Sequence, residues 1–231
     1  MRRRSLLNVK KENNQLDESL VDAWIFSGLR NEDAPDSIVG EKGIPLTCHN
    51  FAWNEEGSGF KDGALWFDGV DDVLRAIGNV PALTDYTIIV KREIFSLGNY
   101  TPVVSKFRGG ETIGNGAFIF ELNYNPDRRI FPNKTWSYGD ATIGVGINDI
   151  TGLVPELISY QTKNSYNGHH INSGDFLDGT DMSVGALRTN VGGGEMAAYY
   201  IGLYSRSLTE FEIQSEIEKL EKIWSNRLNN N

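Results

Sequence analysis

Between Leu20 and Tyr204 the apolar residues fall in short runs that are cut by turn-forming pairs before any reaches helical length, and nothing else in the chain limits the fold as tightly. The runs are Leu20 to Phe26, Ala64 to Phe67, Tyr86 to Ile94, Val103 to Phe107, Ala117 to Leu122, Thr135 to Tyr138, Leu157 to Thr162 and Ala197 to Tyr204. Asp-Gly, Gly-Gly, Asn-Gly and Asn-Pro pairs separate them. Many strands without intervening helices imply antiparallel sheets packed face to face, so the expected class is an all-β, two-sheet antiparallel β-sandwich. A chain of 231 residues suits one such domain.

The two ends depart from this pattern. Residues 1–19 are polar and charged and read as an extended basic arm, the sandwich spans residues 20–207, and residues 208–231 form a C-terminal helix and tail. The helix has a strong start signal in Leu208-Thr209-Glu210-Phe211-Glu212-Ile213. There Thr209 and Glu212 can cap each other's backbone amides, and Leu208 can pack on Ile213. Ile213, Ile217, Leu220 and Trp224 then recur at helical spacing, predicting an amphipathic helix from about Thr209 to Arg227 that docks on the sandwich or on a neighbouring subunit.

Three stretches, in order, resemble the concanavalin A-like jelly-roll modules of the laminin-G-like kind. Leu20-Val21-Asp22-Ala23-Trp24-Ile25-Phe26 is similar to the opening strand. Gly63-Ala64-Leu65-Trp66-Phe67-Asp68-Gly69-Val70-Asp71-Asp72 resembles the strand that ends in Phe-Asp-Gly and a double acid. Ile201 to Thr209 with Glu212-Ile213 resembles the closing strand and the segment after it. The resemblance implies the jelly-roll sandwich but no single function, because such modules occur in lectins, adhesins, enzyme-appended binding domains and bacteriophage appendages. The basic arm and the long charged helix depart from a free-standing lectin.

Glycoside hydrolases share this architecture, and their retaining members place two carboxylates about 5 to 5.5 Å apart, carried by a Glu-x-Asp-x-x-Glu strand. That pattern is missing here; Glu93, Glu111 and Glu121 stand singly and read as solvent-facing charges. No nucleophile elbow, zinc helix or phosphate loop occurs, so the chain is expected not to be an enzyme. Asp68, Asp71 and Asp72 gather carboxylates on one turn, the donor chemistry a hard cation takes, which makes Ca²⁺ the one cofactor to look for. The competing reading is that Asp68-Gly69 makes the turn while Asp71 or Asp72 caps a backbone amide. For sugar binding, Trp136 and Tyr138 share one strand face with Asn133 close by, and Tyr166 and Asn167 sit with Asn164 and His169 in a second polar-aromatic loop. The alternative is that the face of Trp136 and Tyr138 is sandwich core. Cys48, the single cysteine, leaves no intramolecular disulfide and reads as an inert thiol.

A net charge of -9 disfavours a nucleic-acid partner, whose phosphates draw on clustered basic residues. Arg2, Arg3, Arg4, Lys10 and Lys11 are the exception, and they are expected to dock on an acidic neighbouring subunit of an oligomer or larger assembly, or else to be a solvated tail. Leu6, Leu7 and Val9 are too interrupted for a secretory core, and no segment is expected to enter a membrane. The resulting expectation is a structural or attachment protein of a virion or similar particle that displays a lectin-like sandwich. A carbohydrate-binding lectin, with cell-surface placement as the other location, is the alternative, and a glycoside hydrolase comes third.

Overall fold

The computed structural model of the chain describes residues 15–53, 57–96, 101–107, 116–124, 127–131, 148–149, 157–171, 179–186 and 194–230. Its described strands form two antiparallel sheets of eight. In the first, the neighbours run β14 (His169–His170), β13 (Ser165–Tyr166), β12 (Ile158–Thr162), β7 (Thr87–Ile94), β16 (Met196–Tyr204), β5 (Ala64–Phe67) and β4 (Gly59–Lys61). The eighth strand, β1 (Leu20–Ile25), pairs with the far end of β16. The second sheet runs β11 (Asn148–Asp149), β10 (Asp127–Phe131), β9 (Gly116–Tyr124), β8 (Thr101–Phe107), β15 (Asp181–Val184), β6 (Val73–Ala76), β3 (Pro45–His49) and β2 (Ser37–Val39). This is the expected two-sheet sandwich.

Strand alternation builds its core. Trp24, Phe26, Leu65, Phe67, Ile88, Val90, Ile201 and Leu203 point inward from the first sheet and meet Leu46, Leu74, Val104, Phe120, Met182 and Val184 of the second. Hairpins close on left-handed pairs: Asp62 and Gly63 both have positive φ between β4 and β5, as a two-residue turn of type I′ requires. Asn167 and Gly168 do the same between β13 and β14.

Helix α1 (Glu210–Asn229) adds a third layer on the outer face of the first sheet. Its start carries the expected capping box: the Glu212 amide donates to Thr209 Oγ1 at 3.3 Å and the Thr209 amide to Glu212 Oε2 at 2.8 Å. Leu208, Ile213 and Leu220 are buried against Leu20, Ala23, Ile25, Ile89, Tyr200 and Tyr204. Removing each such aliphatic side chain from water contributes about 1.5–3 kcal/mol. Of the two docking partners the periodicity allowed, the helix takes its own sandwich. A bulge in β16 between Ala198 and Tyr200 turns both Tyr199 and Tyr200 toward it.

The end of the arm joins this layer too. Leu16 packs on the helix–sheet cluster, the Asp17 amide donates to Glu216 Oε2 at 2.9 Å, and Arg206 bridges Asp17 and Glu212 at 2.9 Å each. Leu16 and Asp17, just ahead of Leu20, thus take part in the helix–sheet layer, through polar contacts of Asp17 that carry no apolar signal in the sequence. No helix among the described residues is long and apolar enough to cross a membrane.

Candidate functional site

The helix divides the outer face of the first sheet into a covered and an open part. Over the covered part, Lys91 is almost fully buried, paired with Glu221 at 2.9 Å and lying 3.9 Å from the Trp224 ring centroid. Trp224 Nε1 donates to the Gly63 carbonyl at 2.8 Å, which ties the last helical turns to the β4–β5 hairpin.

Beyond that hairpin the face carries partly exposed rings. Strands β5 and β7 flank β16, with Trp66 and Glu93 both opposite Ala197. The small Ala197 side chain leaves room above it, and there Trp66 and Phe95 stack with centroids 4.6 Å apart and planes inclined by 17°. Lys61 Nζ lies 4.6 Å from the Trp66 ring, and the Tyr199 hydroxyl reaches Glu93 at 3.3 Å. Phe95 is 42% exposed. An apolar ring surface bordered by an ammonium and a carboxylate can stack on the apolar face of a pyranose and bond its hydroxyls. Neither Trp66 nor Phe95 stood out in the sequence, since they are paired only by the strand lying between theirs. On the far side of the β4–β5 hairpin, Arg30, Lys61, Asp62 and Leu228 help line a shallow cleft of about 150 Å³.

At the same end of the first sheet, the turn after β5 holds Asp68, Asp71 and Asp72, each with a carboxylate oxygen within 4.8 Å of the others. Part of the turn reading is visible here. Asp68 Oδ1 accepts from the Val70 amide at 2.8 Å, and Asp72 Oδ2 accepts from the Asp68 amide at 2.9 Å. Asp72 is buried, and burial first, then the charges of Asp68 and Asp71, push its carboxyl up to about 7 against the pull of the Asp68 amide and the Ser58 hydroxyl.

Inside the sandwich lies a second charged group. Glu121, expected to face solvent, is 2% exposed and takes a forked contact from Arg92, with Nε to Oε2 at 2.8 Å. The Tyr166 hydroxyl donates to Glu121 as well, and Arg92 Nη1 donates to the Leu157 carbonyl at 3.3 Å. The inward turn of Glu121 goes with a left-handed φ of 49° inside β9, a conformation that local sequence pattern does not signal. Burial and Glu121 together raise the Tyr166 hydroxyl far above its ordinary range.

The proposed sugar contacts fall differently. Tyr166 is 1% exposed with its ring in the core, so it offers no face to a ligand. Asn167 makes the β13–β14 turn, and its side chain accepts from the Tyr160 amide at 2.8 Å while donating to Ser159 Oγ at 3.2 Å. Trp136, Tyr138 and Asn133 lie outside the described residues, as do Arg2, Arg3, Arg4, Lys10, Lys11 and Glu111. Cys48 is half-buried, and burial pushes its thiol up to about 12, which leaves it unreactive.

No protein-family model matches the sequence, and no curated protein matches it. Solved structures do. Trypanosoma rangeli sialidase in complex with 2-keto-3-deoxy-D-glycero-D-galacto-2,3-difluoro-nononic acid is similar at a TM-score of 0.56 and 13% identity, over 90% of this chain and 33% of that one. The same sialidase with sialic acid gives 0.54 at 13% identity, again over 90% and 33%. The ligand binding domain of botulinum neurotoxin serotype D, in complex with N-acetylneuraminic acid, gives 0.51 at 9% identity over 89% and 51%. The chain thus spans a third to a half of these proteins, and at such identities the likeness is one of fold.

Proposed function

We propose that the chain is a non-catalytic β-sandwich that binds a glycan through the half-buried ring of Trp66 and the exposed ring of Phe95. The observation that carries this reading is the ring pair itself: a half-buried Trp66 stacked on a 42% exposed Phe95 on the outer sheet face, beside Lys61 and Glu93. Sialic acid bound to two proteins of similar fold supports a sugar, and an acidic one would suit the ammonium of Lys61. Against catalysis stands Glu121, which is sealed from solvent and committed to Arg92 and Tyr166. A glycan panel that includes sialylated sugars, probed with the wild type, Trp66→Ala and Phe95→Ala, tests the reading. Retention by the wild type and at least about tenfold weaker binding by each variant, a loss of roughly 1.4 kcal/mol, is expected. Binding that both variants retain in full would refute it.

A second reading, attachment to a virion or similar assembly, is favoured by Phe211, which is 84% exposed on the first helical turn, a place where a large ring gains nothing within its own chain. Deleting residues 1–14 while keeping Leu16 and Asp17 should leave the fold intact but lose incorporation into the assembly, as should Phe211→Ala. Full incorporation of both variants would dismiss it.

A further inference from the structure

We infer that the turn formed by Asp68, Asp71 and Asp72 is a calcium-binding site. The inference goes beyond the glycan reading and is tested without any sugar. Its geometry suits a single coordination sphere: the mutual spacing of the three carboxylate oxygens, within 4.8 Å, is the span of two ligands on opposite sides of an ion held at about 2.4 Å. Three carboxyl groups meet on five residues, and among the described residues no lysine or arginine pairs with any of them.

The second, independent observation is an orphaned atom. Asp72 is 5% exposed, and its Oδ1 is buried without a hydrogen-bond partner, although Oδ2 of the same carboxyl is held by the Asp68 amide. A turn whose acids served only as backbone caps would have no use for that oxygen. Leaving a carboxylate oxygen buried and unpartnered costs on the order of 1–3 kcal/mol or more, and a bound cation removes that cost.

The ion fits calcium better than magnesium. Calcium accepts irregular oxygen sets and completes them with water and backbone carbonyls, whereas magnesium demands a near-ideal octahedron. Asp71 is exposed and Asp68 half-exposed, so the ion has a way in. The scaffold is pinned from two sides, by Asn50 Nδ2 donating to the Asp71 carbonyl at 3.1 Å and by Asp68 Oδ1 accepting from Val70. With only three protein carboxylates on a surface turn, the dissociation constant belongs in the range of about 10⁻⁴ to 10⁻³ M.

Isothermal titration of the full, metal-stripped chain with CaCl₂, paired with melting curves in EDTA and in about 5 mM CaCl₂, tests this directly. The wild type should release heat at one site and melt several degrees higher with calcium, while about 5 mM MgCl₂ does markedly less. Asp72→Asn, which keeps an oxygen for the Asp68 amide, should lose the calcium response. Asp71→Asn, at an exposed position that cannot compromise folding, should weaken binding at least about tenfold. A wild type that shows neither heat nor a calcium-dependent shift, or an Asp71→Asn variant that binds as tightly as the wild type, would overturn the assignment.

Discussion

If α1 is a structural layer of the domain, truncating the residue at the centre of its buried face should destabilise the whole molecule. Leu220 is fully buried, and its Cδ1 approaches β16 so closely that a Cβ on Gly202 would stand 3.2 Å from it. The floor beneath it is sheet backbone, and the neighbouring Tyr204 is held by Glu216 at 3.1 Å, so the space left by Leu220→Ala cannot collapse easily. Large-to-small changes in such sites cost about 2–5 kcal/mol, and a middle value of roughly 3 is expected here. For a domain of this size that corresponds to a melting temperature lowered by roughly 6–12 °C. Phe211→Ala, on the same helix but 84% exposed, should stay within about 0.5 kcal/mol of the wild type. Urea titrations followed by far-ultraviolet circular dichroism at the helical band and by tryptophan fluorescence should give one coincident transition, because Trp224 lies on the helix and Trp24 between the sheets. A helical signal lost well before the fluorescence change, or equal effects of the two substitutions, would refute the integral-layer reasoning and make the helix an appendage.

Breaking the buried pair by Arg92→Met alone should destabilise by roughly 3–5 kcal/mol in chemical denaturation, because Glu121 then remains buried without its cation; the double change with Glu121→Met should recover most of that loss. Hydrogen bonds from Arg206 and from Thr209 hold the Glu212 carboxyl down to about 2, well below its unfolded value near 4.5. A depressed carboxyl stabilises above its unfolded value, so the melting temperature should be level above about pH 5 and fall as the pH drops from about 4.5 toward 2, and Glu212→Gln should flatten that part of the profile. Asn167→Ala should cost about 1–2 kcal/mol through loss of the left-handed turn and the bond to the Tyr160 amide, with no change in glycan retention; a selective loss of retention would place Asn167 in the binding site.

The parts of this protein written in local pattern are those where a few neighbouring residues carry the whole signal. Ala64–Phe67 reads as a strand because its apolar run ends at an Asp-Gly turn, and α1 starts where Thr209 and Glu212 can cap each other. Strands such as Asp127–Phe131, with three charged residues in five, and Pro45–His49, with a proline at its start, gave no such signal, for their extended form depends on ladders made with β9 in the first case and with β2 and β6 in the second. The turn acids were legible as a cluster, but not that Asp72 would be buried with one oxygen unpartnered. Nor could the sequence place Glu121, since a single left-handed residue inside a strand decides whether that acid meets water or Arg92. Trp66 and Phe95 stand far apart along the chain and touch only because β16 threads between their strands with a small alanine at the crossing. Alternation and capping are properties of neighbours along the chain; the ring pair and the buried ion pair are made between distant segments, and only the packed sheets bring those segments together.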